Sequence, residues 1–544
     1  MRRIHVSLLL VVVACLPAAP AAAKSGDKAA RASAGAPLVL PGSARLATAG
    51  PHAAGTWIVG GEPGGATARI AQRFGARPID AAAGTYVVAT ARARAFANAL
   101  GEAGRLRLAE PDALATKRAF PSDPLTPFQY WPPLVLGDPG LTPPPVTPAS
   151  PRLGIVEEQI DLTHPDMQGI VSTSTGLPPD SHGTAVAAVA GAPANGVGTV
   201  GIWPGMRILL PVYRGVSCSN ITGSLARAVA ARVSVVNMSY GFQNNGCFVH
   251  FVTTQKAFSR GVVLVAAAGN EFAEGNPPER PAVDPHVITV AALKADSTSA
   301  DFSNEGGATD VSAPGVGVLT AVPPAFDSED GSRDGFEAID GTSFSAPMVA
   351  AAATWLRAVR PRLRAGQVQH IFQASADDLG EEGWDKTFGY GRVNLRDALA
   401  SPTPGIDPGE PNEDVEWVDG RRLGRRYALT FFGRPVAIGA GLDQFEDPYD
   451  VYRARIPARS TVAFSMRVDF GDPDLDVYSG SVRTILSDRG LLGRSRRSGR
   501  ARDTVVIRNR NRSPRSVYVN PYILDENAPL DARYRLSIRR IGPA

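Results

Sequence analysis

The chain has 544 residues, of which 44% are hydrophobic and 20% charged. That balance excludes collagen-like, coiled-coil and wholly disordered chains, and the length allows about three to four domains. A formal net charge of +4 gives no electrostatic reason to expect a nucleic-acid partner.

Residues 1–23 read as an export signal. Arg2 and Arg3 precede the run SLLLVVVACL (7–16), which is too short to span a bilayer, and Ala21, Ala22 and Ala23 supply small residues for cleavage. A second variant stays open, because Val12-Val13-Ala14-Cys15 resembles a bacterial lipobox with Cys15 as the lipidated residue. No later stretch offers 18 uncharged apolar residues, so no transmembrane segment is expected. Without Cys15 the chain keeps Cys218 and Cys247. In an oxidising compartment they read as one disulfide, with two buried free thiols as the alternative.

Residues 24–55 form an Ala/Gly/Ser/Pro-rich lead-in. Over 56–112 the pattern reads strand, helix, strand, helix, strand, a small α/β module. A Pro-rich connector follows over 113–150. From 151 to 400, apolar runs such as RLGIVEE, VSVVNMSY and GVVLVAAAGN alternate with helical runs such as GTAVAAVAGA and SAPMVAAAATWLRAV. Continuous apolar strands between helices argue a parallel sheet covered by helices on both faces, with its site beyond the carboxyl ends of the strands. Residues 401–414 read as a Pro- and acid-rich linker. The short alternating runs beyond it argue a β-sandwich.

Three glycine-flanked segments carry the chemistry: Ser181-His182-Gly183-Thr184, Ala268-Gly269-Asn270 and Gly341-Thr342-Ser343-Phe344-Ser345-Ala346-Pro347. A serine hydroxyl needs a base, and histidine is the usual one near neutrality. A serine in the first turn of a helix also offers its own N–H to a developing oxyanion. An Asn at a strand end can aim a second donor there. Each segment alone also fits a helix cap or a turn.

In this order within one α/β domain, HGT, AAAGNE and GTSFSAP resemble the subtilisin-like serine proteases. GIVEEQIDLTHPDM (154–167), SVVNMSYG (234–241), HVITVAA, DFSNEGG, DVSAPGV and GYGRVN extend the resemblance over about 120–400. It implies a subtilisin-like α/β fold and a serine-type endopeptidase. It casts Ser343 as nucleophile, His182 as general base and acid, and Asn270 as oxyanion donor beside the Ser343 N–H. Ser239, Tyr240 and Gly241 would pair with an extended substrate. The acid departs from the pattern, because the family's Asp corresponds to Glu157 in Glu157-Glu158-Gln159. Glutamate can hold an imidazole, but it is one methylene longer. Three readings stay open: Glu157 is the triad acid, Asp161 or Asp180 replaces it, or the chain is a catalytically impaired peptide- or surface-binding protein. No GxSxG elbow surrounds Ser343, which leaves an esterase unsupported.

The flanks resemble known modules too. WIVGG and AEPDA place an inhibitory propeptide over 24–120, compact over 56–113 and cut somewhere in 113–125. The peptidase domain is then 121–400. DPGEPNED, DPYDVYRARIPA and GDPDLDVYS in 401–544 resemble the bacterial pre-peptidase C-terminal domain. The chemistry itself needs no cofactor. Structural calcium is open at Asp166 with Asn195, and at Asp472, Asp474 and Asp476, where solvated turns are the alternative. The basic stretch 483–512, with Arg494, Arg496, Arg497 and Arg500, reads as a solvated loop or a contact for an anionic surface. The expected partners are protein or peptide substrates and the chain's own propeptide, with a monomer as the working unit. Glu271, next to Asn270, is a candidate for favouring a basic side chain before the cut. The substrate itself is not readable.

Overall fold

The computed structural model describes residues 52–113, 120–172, 179–327, 331–445, 447–523 and 531–544. The export signal, Cys15 and residues 114–119 of the expected cleavage segment lie outside these residues. The chain divides into one unit ending at Lys117 and another running from Arg118 to Ala544.

In the first unit the helices Gly65–Arg73 and Thr90–Glu102 accompany four antiparallel strands, whose order is Arg77–Asp80, Thr85–Ala89, His52–Gly61, Leu106–Ala113. Val59, Phe96, Ala97 and Leu100 are fully buried at its core. The expected order lacked the strand Arg77–Asp80. Gly75, at φ 63°, ends the first helix early, and Asp80 caps a tight turn by accepting from Ala83 N. The run ARPID has no alternation that would announce a strand.

The second unit is built on seven parallel strands: β1 Arg152–Ile155, β2 Val171–Ser172, β3 Arg207–Leu209, β4 Val235–Met238, β5 Val263–Ala267, β6 Val287–Leu293 and β7 Val311–Pro314. Their spatial order is β7-β6-β5-β4-β1-β3-β2. The strands are apolar because both faces are covered. Leu153, Ile155, Val263, Val265 and Val290 join the core that holds the helices α1 (Ser181–Gly191) and α4 (Thr342–Val359). Val236, Met238, Leu264 and Ala266 join the opposite core, with residues of α2 (Cys218–Ala230) and α3 (Phe248–Phe258). A disulfide joins Cys218 to Cys247, at a Cα–Cα distance of 5.6 Å, and ties the starts of α2 and α3 together.

Beyond residue 430 a five-stranded and a four-stranded sheet enclose a core of Phe464, Val477, Val519, Tyr534 and Leu536. This is a β-rich region consistent with a sandwich. Asp503–Asn509 shows the expected alternation of buried and exposed residues. Two expectations change here. Residues 407–414 are packed rather than free. Asp407 accepts from Gly441 N at 2.7 Å, and the buried Asn412 donates to Asp450 at 2.9 Å. The basic stretch is partly internal. Arg494 grips buried Asp476 with two nitrogens, and Arg496 lies 3.4 Å from Asp474. Composition shows acids and arginines, but only folding decides that they neutralise each other. No helix among the described residues is long and apolar enough to cross a membrane.

Candidate active site

The sequence-predicted residues gather at the carboxyl ends of β1, β4 and β5. Two residues after β1, Glu157 is buried, and its main-chain oxygen accepts from Tyr213 N at 3.1 Å. Asp180 begins α1 by accepting from Gly183 N at 2.8 Å, while its own N–H donates to Gln159 O at 2.8 Å. This clamp fixes the start of α1 against the turn that carries Glu157. The result is a contact of 3.1 Å between His182 Nδ1 and Glu157 Oε2, with the glutamate side chain 2% exposed and the imidazole 37%. Burial alone would pull His182 down. The charge and hydrogen bond of Glu157, with Asp180 and Glu158 behind, push it up to about 9. Glu157 Oε1 is buried without a partner. The other candidate acids are occupied: Asp180 caps α1, and Asp161 accepts from Thr163 N and Oγ1.

Ser343 lies in the first turn of α4. Pro347, in the same helix, has no N–H to give to the oxygen four residues back, which is Ser343 O. Ser239 Oγ donates to that oxygen at 2.8 Å, and Asn237 Nδ2 donates to Ser239 Oγ at 2.9 Å. The Ser239 side chain therefore supports the turn that carries Ser343, a link that no spacing rule in the sequence displays. Tyr240 turns its ring inward, with its hydroxyl 2.9 Å from His250 Nε2, so the side chain is engaged within the fold. Gly241 is exposed beyond the end of β4.

Asn270 follows Gly269, whose φ of 110° favours glycine and turns the chain out of β5. Its Oδ1 accepts from Thr342 N at 2.9 Å and Thr342 Oγ1 at 2.8 Å. The acceptor half of the amide is thus held, leaving Nδ2 as the available donor one residue from Ser343. Thr342 was not singled out in the sequence, where it reads as an ordinary helix start.

A model of the subtilase family (peptidase S8) matches residues 150–391. The chain is 30% identical over 266 residues to the subtilisin of Bacillus pumilus, covering 92% of that protein and 46% of this one. The chain belongs to the subtilase family. It spans 66% of the length of subtilisin amylosacchariticus from Bacillus subtilis subsp. amylosacchariticus, again at 30% identity. The crystal structure of fervidolysin from Fervidobacterium pennivorans overlaps 85% of this chain and 86% of that one, at a TM-score of 0.46 and 18% identity. The matched region carries all seven strands of the parallel sheet and every residue of the site above. The N-terminal module and the C-terminal sheets lie outside it.

Two places in this subtilase bear on metal binding. Asp166 is buried, and its Oδ2 accepts from Thr199 N and Oγ1, both at 2.8 Å. Asn195 Nδ2 donates to Pro165 O, and its Oδ1 accepts from Val197 N. One oxygen of Asp166 thus holds its own loop, while its Oδ1 is buried without a hydrogen-bond partner. A richer set is Asp407, Glu410 and Asp450, whose carboxylate oxygens lie within 4.8 Å of one another. Asp407 Oδ1, Glu410 Oε1 and Asp447 Oδ1 are buried without partners, and no Lys or Arg pairs with these four acids among the described residues. Burial and mutual repulsion hold Asp407, Glu410 and Asp447 well above the carboxylate range. Orphaned buried oxygens in an all-carboxylate set fit a hard divalent cation. The sequence does not announce the set, because Asp407 and Glu410 sit in DPGEPNED, which reads as a linker, while Asp447 and Asp450 sit about 40 residues on in DPYDV.

Proposed function

We propose that the chain is an exported serine endopeptidase acting through an acyl-enzyme, with glutamate in place of the usual aspartate of the triad. The observation that carries this reading is the 3.1 Å contact between Glu157 Oε2 and His182 Nδ1, on the carboxyl-end rim that also holds Ser343 and Asn270. Glu157 holds the imidazole with Nδ1 protonated, which leaves Nε2 as the base. Nε2 takes the proton as Ser343 Oγ attacks the peptide carbonyl. Asn270 Nδ2 and the Ser343 N–H receive the developing charge on oxygen. His182 then gives the proton to the leaving amine, and water hydrolyses the ester by the same route. Export is supported by the signal-like residues 1–23 and by the Cys218–Cys247 bond. The α/β module over 56–113 would serve as the inhibitory propeptide. The carboxylates around Glu410 would hold a structural cation and take no part in the chemistry.

A fluorophosphonate probe tests the reading, because it reacts only with an activated serine. The expected result is labelling at Ser343 after the N-terminal module is removed, abolished by Ser343→Ala. An unlabelled, folded protein would instead support the peptide- or surface-binding alternative.

A further inference from the structure

Beside the proposed oxyanion donor lie two acids that the reaction above does not use. Glu279 pairs with Gln243 through the two-stranded ladder of Glu279–Arg280 against Phe242–Gln243, and it is 7% exposed. Its Oε2 stands 2.0 Å from where a Cβ on Gly241 would be, so the carboxylate occupies the space freed by a missing side chain. Glu271 approaches from the other side. Its Oε2 accepts from Asn270 N at 2.7 Å and lies 3.0 Å from the Cβ position of Gly269. The two carboxyls share a hydrogen bond; burial first, and then the Glu271 charge, push Glu279 up to about 7. Arg280 cannot neutralise them, since its guanidinium faces Asp284 at 3.4 Å and stacks over the Phe251 ring at 4.7 Å. No other Lys or Arg pairs with either acid among the described residues. Glu271 is half-buried, but a buried carboxyl such as Glu279 without a cation is costly to keep charged, and an incoming guanidinium or ammonium relieves that cost.

The Gly241 segment follows β4 and the Gly269–Asn270 turn follows β5, its parallel neighbour, so the two segments lie side by side next to Asn270. We infer that Glu279, assisted by Glu271, selects a lysine or arginine as the residue whose carbonyl is attacked. This rests on the proteolytic reading above. Glu279 fills the Cβ space of Gly241, and Asn304 with Glu271 that of Gly269, so a long side chain laid between the two segments ends against carboxylates, where arginine can be held bidentately.

The test uses the expressed full chain and peptide p-nitroanilides identical except for Arg, Lys, Phe or Leu at the last residue. Charge-assisted hydrogen bonds carry about 10- to 100-fold in selectivity, so kcat/KM for Arg and Lys should exceed that for Phe and Leu by about tenfold or more. Glu279→Gln should collapse the Arg-to-Phe ratio by a similar factor. Should that variant fold poorly, the wild-type protein still decides: benzamidine should protect Ser343 from fluorophosphonate labelling, whereas neutral benzamide should not. Labelling intact with preference for Phe or Leu, or with no protection by benzamidine, overturns the inference alone. Absence of both labelling and cleavage overturns the proteolytic reading and the inference with it.

Discussion

Glu157 is the acid that the proposed reading sets in place of the usual aspartate, and only one of its oxygens reaches the imidazole. Its Oε2 reaches His182, while Oε1 is left buried without a donor. Glu157→Ala should lower kcat by about 10⁴-fold, the scale for losing a triad acid's orienting role. An unchanged rate would remove Glu157 from the mechanism. The pH profile has a definite sign. Only neutral His182 can accept a proton, so kcat/KM should rise with pH until about 9, where the free enzyme's imidazole titrates. Glu157→Gln removes the main charge that raises it, so the limb should move toward the ordinary histidine value of about 6.5. Asn270→Ala should cost about 10²–10³-fold in kcat; that magnitude was measured for one such donor in subtilisin itself, so it is not an independent figure. His182, Ser343 and Asn270 were legible from their flanking glycines. Thr342 and Glu279 were not, because a helix-starting Thr and an acid before Arg280 carry no local mark of what they touch.

At the scale of elements, α4 contains a proline whose missing bond is made good by Ser239, just beyond the end of β4. Ser239→Ala should leave Ser343 O unpaired and lower stability by about 1–3 kcal/mol, read as a fall in Tm together with a loss in kcat. The joint effect separates a support for the nucleophile's turn from a mere surface contact. The disulfide between α2 and α3 closes a loop with a sequence separation of 29 residues. Loop-closure entropy for that length is about 3–4 kcal/mol, so a reductant, or replacement of both cysteines by alanine, should lower Tm by several degrees. An unmoved Tm would show that the bond adds nothing to the folded domain.

At the scale of the whole molecule, the C-terminal sheets are tied to the residues that precede them through acids. Glu413 lies 2.7 Å from His286, and Glu410 lies 3.4 Å from the same nitrogen. With several buried carboxylates and no Lys or Arg pairing with them among the described residues, cation removal should loosen this region first. A chelator should therefore lower Tm, and added calcium should restore it. Glu410→Gln should blunt that response, because it removes one ligand charge from the set. A chelator-insensitive Tm would show that the acids are held protonated instead, as their raised pKa values permit.

The alternation of apolar runs with Ala-rich helical runs determined the parallel sheet, since a strand buried on both faces must be apolar throughout. The glycine-flanked Ser343, His182 and Asn270 determined the kind of chemistry, since those side chains need helix starts and strand ends to be useful. Tertiary structure alone decided the partners. It set Glu157 rather than Asp161 or Asp180 against His182, gave Ser239 to the carbonyl freed by Pro347, and matched Arg494 to Asp476. It also brought Asp407 and Glu410, from a segment that reads as a linker, together with Asp450 from the C-terminal module. Those contacts join residues far apart in the chain, and their energies depend on distance and burial, which no local pattern of residues records.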